Sequence, residues 1–553
     1  MARTRMLAQS VLSRRHFLQG IGVGGILAVG LPGAMPIVPA QSAATPQAGG
    51  VARVRGYDPL GWDAMLSVSY RTHIAVSYTH NRLFRYKPGT DVPIGKMIIE
   101  PDLVERWEEP NDTRYILHLR QGVHFHDKPP VGGRELVAED VRYSLERFLT
   151  LKGNSNRPLL EDISEVKVLN KHTIQLDLKA PNVWILDYMA NASVLPIIAR
   201  EAVEQFGDLK QPESVIGTGP WMLAAYEPKV KSIFTKNPKY FRTGLPYIDE
   251  VQFIVLDDDS TASAAYMSGQ LDFGWGFVNT IRLEELAEFK KRHPEWHYEQ
   301  FLWNVSSYIY MHTDQPPFND QRVRQAISMA INRQEMIDTI GMGQSKMNTA
   351  VPAALRDWHL PVDQLGDGAR YYHYNPAEAK RLLKDAGHPR GFKTSMLVHT
   401  GYSSLWADII DLVANYLREV GIDVQIQNKE YGAYIKSLVG RDYEGMVLAL
   451  YTPYVIPDGF VHDRYVPDSP ANSSFVNDPE MERLARAQRR EKDVAKRKAI
   501  IDELSRKAAI NQYYIHFTSG VQVASWPPYV QNFNTNLGYD YGARLEAAWM
   551  AKA

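Results

Sequence analysis

The chain of 553 residues contains no cysteine. No disulfide can form, so the fold must rest on core burial alone, and a lipid-modified N-terminal cysteine of the bacterial lipoprotein kind is excluded. Beyond the first 44 residues no apolar run approaches the ~18 residues that a membrane-spanning helix needs. No dense basic patch stands out along the chain, which argues against a nucleic-acid partner. Neither H-E-x-x-H nor G-x-S-x-G occurs, so two common hydrolase signatures are missing. Internal repeats and long low-complexity stretches are also absent.

What is present begins at the N-terminus. Ser13-Arg14-Arg15-His16-Phe17-Leu18 sets two arginines before an apolar run from Gly20 to Leu31, and small residues and prolines follow up to Pro46. That is the layout of an export signal, and the Arg-Arg-x-Phe-Leu continuation resembles the twin-arginine variety. Residues 1–44 are therefore expected to be a cleaved signal. Gly20, Gly22 and Gly25 satisfy G-x-G-x-x-G, but no strand precedes them and the first acidic residue is Asp58, so the dinucleotide reading fails. An exported chain without a lipid anchor stays useful where an outer membrane retains it. The expected compartment is the periplasm.

Hydrophobic residues make up 44% and charged residues 23%, with a formal net charge of −1. The first 44 residues hold four arginines and no acid, which puts the remainder at about −5. Removing about 45 residues leaves about 510, enough for roughly three domains. Tyr115–Leu119 and Ile174–Leu178 alternate apolar and polar residues like half-buried strands. Val251–Leu256 and Met446–Leu450 are nearly continuous apolar runs, as in strands buried on both faces. Asn375-Pro376-Ala377-Glu378 supplies an N-cap, a first-turn proline and a capping-box acid ahead of Leu382, Leu383 and Ala386, with Gly387 as the stop. Asn332 to Glu335 repeats the box before Gly341, and Asp478-Pro479-Glu480 opens another helix. From Ser404 a helical stripe runs to Gly421, and Ile422–Ile426 then reads as a strand. The architecture is α/β or α+β in several lobes.

Candidate chemistry is sparse. His118, His124 and His126 cluster near two strands, but no carboxylate is reliably placed beside them, and they read as structural or surface histidines rather than metal ligands. Asp257-Asp258-Asp259-Ser260 follows a strand and precedes a helix, where acids cap free N–H groups and favour the positive end of the dipole. Gly217-Thr218-Gly219-Pro220 lacks the Lys of a phosphate loop and reads as a tight backbone turn. Aromatics are more suggestive. Thirty tyrosines and eleven tryptophans are many, and Trp275, Trp303, Tyr308, Tyr451, Tyr454 and Phe460 fall in turn-rich stretches, where rings give rigid contact area to an organic solute.

These residues carry a family resemblance. Leu103 to Glu108, Tyr115 to Asp127, Ala138 to Val141 with Ser144 to Arg147, Gly217 to Pro220, Asn237 to Phe241, Ser268 to Asp272, Pro317 to Asp320 with Arg322 to Ala326, and Asn375 to Gly387 occur in order. Together they resemble the extracytoplasmic solute-binding proteins of ABC importers, family 5, the oligopeptide, dipeptide and nickel-binding group. The resemblance implies a two-lobe α/β periplasmic-binding-protein fold (type II, cluster C-like) with a hinge and an extra inserted domain. It implies lobe I from 49–80, 210–300 and 510–553, the extra domain from 81–209, and lobe II from 301–509. It implies capture of a peptide or small polar organic solute for permease subunits in the inner membrane, by a monomer needing no cofactor, metal or nucleic acid. The expected cleft residues are Trp275 from lobe I and Tyr308, Tyr451, Tyr454 and Asp458 from lobe II.

One departure weakens the peptide reading. In peptide-binding members the loop after the strand at Met446–Leu450 carries an aspartate for the ligand's amino terminus, and that position falls on Pro453. Proline has neither charge nor N–H, so a buried ammonium would be left unpaired. Asp458 or Glu430 is the alternative anchor. Failing both, the solute is a non-peptide such as an opine, a sugar or another small metabolite. Val137 also stands where the family has a threonine N-cap. The competing class is an exported enzyme, a hydrolase or cofactor protein, for which no nucleophile–base set is found. A third reading is a ligand-loaded partner of a chemosensory receptor.

Overall fold

Three separate sheets organise the chain, and each draws on a different part of the sequence. The computed structural model describes residues 45–275 and 280–551. The proposed export signal and its glycines lie outside the described residues.

The first sheet orders its strands Val51–Gly56, Glu250–Val255, Lys231–Lys236 and Trp221–Glu227, with the first pair parallel and the rest antiparallel. Val251 and Phe253 are fully buried while Gln252 and Ile254 are half-exposed. The apolar run at 251–256 is thus covered on one face only, not on both as its composition suggests. The Gly217–Pro220 turn leads into this sheet. A Cβ at Gly217 would lie 2.0 Å from the Thr79 carbonyl oxygen, so close backbone approach explains the glycines.

The second sheet runs Ile422–Asn428, Phe392–Val398, Met446–Leu450, Ser307–Met311 and Ile515–His516. Its first three strands are parallel and joined through helices Ser404–Glu419 and Tyr431–Gly440, the α/β unit expected at 375–450. Caps behave as the sequence reads. Asn375 and Asn332 accept from the N–H groups of Glu378 and Glu335; Ser403, which the sequence reading did not single out, likewise accepts from Trp406. Gly421 takes φ +92° after helix 404–419, a conformation that favours glycine. Tyr308 pairs with His516 in this sheet, so residues 515–516, within the segment the sequence reading gives to lobe I, lend a strand to the second sheet.

The third sheet, Val104–Asn111, Arg114–Leu119, Thr173–Leu178 and Ile163–Asn170, is fully antiparallel and packs against helix Ala138–Thr150. This is the extra domain. Val137 offers no side-chain cap to that helix, and its own N–H is instead accepted by Asp140 at 2.9 Å.

The chain crosses between the lobes twice, on two antiparallel strands, His297–Leu302 outward and Val521–Trp526 on the return. Two thin strands are a hinge: they fix an axis while allowing the lobes to rotate.

Candidate functional site

The cleft is built where the ends of lobe II's parallel strands face the first turn of helix Tyr70–Ser77 in lobe I. Open α/β sheets place ligands at such strand ends. Ser69 caps that helix through the Arg71 N–H, and its hydroxyl also meets the Tyr431 hydroxyl of lobe II at 2.9 Å. The Arg71 guanidinium sits 4.6 Å from the Tyr431 ring centre, and Tyr70 packs 6.0 Å from Tyr431 and 6.4 Å from Tyr402. These contacts join the lobes directly, so the chain is in a closed arrangement.

Three adjoining cavities occupy the cleft. One, of about 100 Å³, is walled by Tyr70 and Tyr539 from lobe I and by Tyr310, Tyr402, Tyr431, Tyr451, Tyr454 and Arg464 from lobe II. A second, of about 220 Å³, shares Tyr402 and Leu450 with it and runs outward past Trp303, Ser404 and Asp408. A small third, of about 20 Å³, shares Tyr539 and is walled by Trp275, Trp303, Pro453, Tyr541 and Arg544. The largest cavity, about 1050 Å³, is a groove beside the hinge strands that shares Phe301 and Leu537 with the third cavity, is lined from both lobes by residues such as Phe533 and Ile456, and is rimmed by exposed residues including the Lys96–Asp357 ion pair at 2.8 Å. The three smaller cavities lie where the Ser69–Tyr431 bridge and the rings of Tyr70, Tyr402 and Tyr431 close one lobe on the other, so a solute there has most of its surface buried.

Tyrosine dominates the walls. Burial pushes the Tyr431 hydroxyl up to about 12, and pushes those of Tyr70, Tyr402, Tyr451, Tyr454 and Tyr539 up as well, so all stay protonated near neutrality. The cleft offers apolar ring faces together with hydroxyl donors and acceptors, suited to an organic solute.

Of the five residues expected from sequence, three line the cleft. Trp275 stacks on Tyr541 with ring centres 4.0 Å apart and borders the chamber at Pro453. Tyr451 and Tyr454 wall the tyrosine chamber. Tyr308 is corrected: it lies inside a strand, 2% exposed, its ring against Tyr310, Tyr514 and His516, and it reaches none of these cavities. Asp458 is corrected too. Its carboxylate is 0% exposed and paired with Arg489 at 2.8 Å, with Tyr188 and Gln488 also donating to it. It is a strut between lobe II and the extra domain. Glu430 caps helix Tyr431–Gly440, accepting from Gly432 at 2.8 Å, so neither alternative acid replaces the one missing at Pro453.

Sequence reading missed Tyr70, Tyr402, Tyr431, Tyr539, Arg464 and Arg544. Most sit within helices or short turns where a ring reads as core. Arg464 carried no signal in the sequence: helix Asp458–Tyr465 holds Asp458, His462, Asp463 and Arg464 and reads as a solvated face, and only the structure shows that it has no exposed residue. The remaining readings stand as local structure. His126 is fully buried, 3.1 Å from the Gly219 carbonyl oxygen, and burial lowers its pKa to about 3, while His124 bonds Gly133 and His118 bonds Glu108. Asp258 caps helix Asp259–Met267 through Thr261, and Asp259 pairs with Arg55.

Comparison with known proteins places this architecture. Residues 99–472 match the family described as bacterial extracellular solute-binding proteins, family 5 middle. The dipeptide-binding protein of Escherichia coli (strain K12) is 28% identical over 429 residues, covering 73% of this chain and 76% of that protein. Among solved structures, the periplasmic binding protein DppA of Helicobacter pylori, in complex with peptide STSA, superposes with a TM-score of 0.79. It is 24% identical and covers 92% of this chain and 99% of its own. AgaA from A. tumefacien R10, in complex with agropinic acid, gives the same TM-score at 24% identity, covering 91% of this chain and 99% of its own. The relatives are binding proteins rather than enzymes. With its two lobes, double-strand hinge and inserted sheet, this chain belongs to the bacterial extracellular solute-binding proteins of family 5.

Proposed function

We propose that this protein is the solute-capturing component of an ABC importer, which closes its lobes on a peptide or other small polar organic solute and presents it to membrane permease subunits. The observation that carries this reading is the tyrosine-walled chamber formed jointly by both lobes, with Ser69 and Tyr431 bridging its edge. Because the solute would touch both walls only in the closed state, its binding shifts the population toward closure. Trp275, Tyr451 and Tyr454 would contact the solute together with Tyr70, Tyr402, Tyr431 and Tyr539. Boundaries are proposed as 49–80, 210–300 and 510–553 for lobe I, 81–209 for the extra domain and 301–509 for lobe II, with Ile515–His516 contributed back to the second sheet.

The protein is proposed to work in the periplasm as a monomer, exported by a twin-arginine signal within residues 1–44 that is then cleaved. The family and the absence of cysteine support that placement. The E. coli relative is named for dipeptides and the two solved neighbours hold a peptide and agropinic acid, so both solute classes are in range. Native mass spectrometry of the purified protein is the direct test, paired with small-angle scattering before and after the solute is removed. A retained organic solute, and a larger radius of gyration once it is stripped, are expected. No retained mass and unchanged dimensions with every added metabolite would refute the reading.

A further inference from the structure

Charge in the two inner chambers is one-sided. The tyrosine chamber and the chamber at Pro453 are lined by two charged residues, Arg464 and Arg544, and by no carboxylate among the described residues. The undescribed positions carry no Asp or Glu either. Arg464 is 2% exposed. It donates to the Ala471 carbonyl at 3.0 Å and to the Tyr310 hydroxyl at 3.3 Å, its guanidinium carbon lies 3.4 Å from the Tyr451 ring centre, and its buried Nε has no hydrogen-bond partner. No carboxylate of a described residue comes within 4.0 Å of it to form an ion pair. Its neighbour Asp463 lies 3.6 Å from the His462 ring and interacts with Arg464 through charge, but the two make no ion pair. Arg544 repeats the pattern: it donates to the Leu537 and Gly538 carbonyls and lies 5.3 Å from the Trp275 ring centre.

An arginine stays charged in any protein environment. A buried guanidinium without an acid is costly, and ring faces and carbonyls offset only part of that cost. Two such groups, Arg464 in the tyrosine chamber and Arg544 in the adjoining chamber at Pro453, are completed by an anionic partner, and the planar fork of arginine suits carboxylate and other oxyanions. Acids lie further out: in the outer cavity Asp259 pairs with Arg55 and Glu284 with Arg282, leaving Asp408 at the mouth, and in the groove beyond the Pro453 chamber Asp91 pairs with Lys87 and Asp357 with Lys96, with Asp187 and Glu299 also on its walls. On the solute-capture reading above, we propose that Arg464, with Arg544 beside Pro453, is the charged anchor of the cleft, and that the solute is an organic anion gripped through a carboxylate or equivalent oxyanion with no need for a free ammonium group.

Matched probes test this on the full chain by calorimetry: N-acetyl-trialanine against its amide, gluconate against gluconamide, and free trialanine. In at least one acid–amide pair the acid is expected to bind about 30-fold or more tighter, the factor for a lost buried charge pair. N-acetylation is expected to leave tripeptide affinity unchanged or better. Arg464→Gln should bring acid and amide affinities together, and Arg464→Lys should restore part of the difference. Should Arg464→Gln fail to fold, Pro453→Asp serves instead. It sets a carboxylate in the chamber with Arg544 and should shift preference from N-acetyl-trialanine toward free trialanine. Amides binding as well as acids, failure of both acids to bind, or a Pro453→Asp variant with unchanged preference would each overturn the anion anchor. The capture reading fails separately, through the absence of any retained solute and of any change in dimensions.

Discussion

The bridge between Ser69 and Tyr431 makes lobe closure open to a single-atom perturbation. Tyr431→Phe removes one hydroxyl and keeps the ring, so the Arg71 cation–π contact at 4.6 Å and the Tyr70 and Tyr402 packing remain. A buried neutral hydrogen bond contributes about 0.5–1.5 kcal/mol net. Ser69 still accepts the Arg71 N–H at 3.2 Å after the change, so its oxygen is not stranded and the cost should fall near the middle of that range. About 1 kcal/mol corresponds to roughly a fivefold fall in the closed-to-open ratio. Solute affinity should fall by a similar factor wherever the closed form is the minor state without solute. Because the chain has no native cysteine, dyes on Ala287→Cys in lobe I and Lys393→Cys in lobe II report the interlobe distance by single-molecule energy transfer without background labelling. Ser69→Ala also strips a helix cap, so it enters only as the second arm of a double-mutant cycle. An unchanged closed fraction in Tyr431→Phe, with zero coupling in the cycle, would refute the idea that this bond helps hold the lobes together.

Two other outcomes follow from buried charge outside the cleft. Asp458→Asn breaks the pair with Arg489, so chemical denaturation should show a loss of roughly 3 kcal/mol, while solute affinity of the folded protein stays at the wild-type value; a lost affinity at full stability would return Asp458 to the binding site. Asp463 has its pKa raised by burial from 3.8 to about 7, so the native state holds its proton more tightly than the unfolded chain and this group's stabilisation is lost as pH rises from about 4 to 7. Asp463→Asn should therefore be the more stable protein at pH 8, by up to about 4 kcal/mol on the full shift, and a melting-temperature difference that does not change between pH 5 and 8 would refute the assignment.

The fold was legible where local chemistry decides it. Asn375, Asn332 and Asp478 are caps in fact because a side-chain oxygen one residue before a helix has backbone N–H groups waiting for it, whatever the tertiary context. The parallel unit at 375–450 was legible for the same reason, with Gly421 separating helix from strand. The strand at 250–255 was misjudged because an unbroken apolar run does not say whether a second layer covers its far face. The strand that residues 515–516 add to the second sheet was not legible because its pairing with Tyr308 joins segments some 200 positions apart, and no spacing along the chain records it.

The site divides along the same line. An aromatic in a turn-rich stretch led to Trp275, Tyr451 and Tyr454, which line cavities in the structure, since turns at strand ends are where lobes face each other. It misled at Tyr308, whose stretch turned out to be a strand, and it could not reach Tyr70 or Tyr431, which open helices. Asp458 is the more instructive error. A lone acid near an expected cleft looks like an anchor, but an acid's role is set by where its counter-charge sits, and Arg489 lies 31 positions along the chain on another helix. The same reasoning reversed gives Arg464 its weight. It occupies the same helix as Asp458, six residues on, and among the described residues it has no acid paired with it within the protein. In a helix with no exposed residue, a satisfied charge such as Asp458 is architecture, and an unsatisfied one facing a chamber is a demand on what enters. Pro453 removes the negative pole that a peptide's ammonium would need, and Arg464 and Arg544 supply positive ones; the two departures point to the same kind of solute.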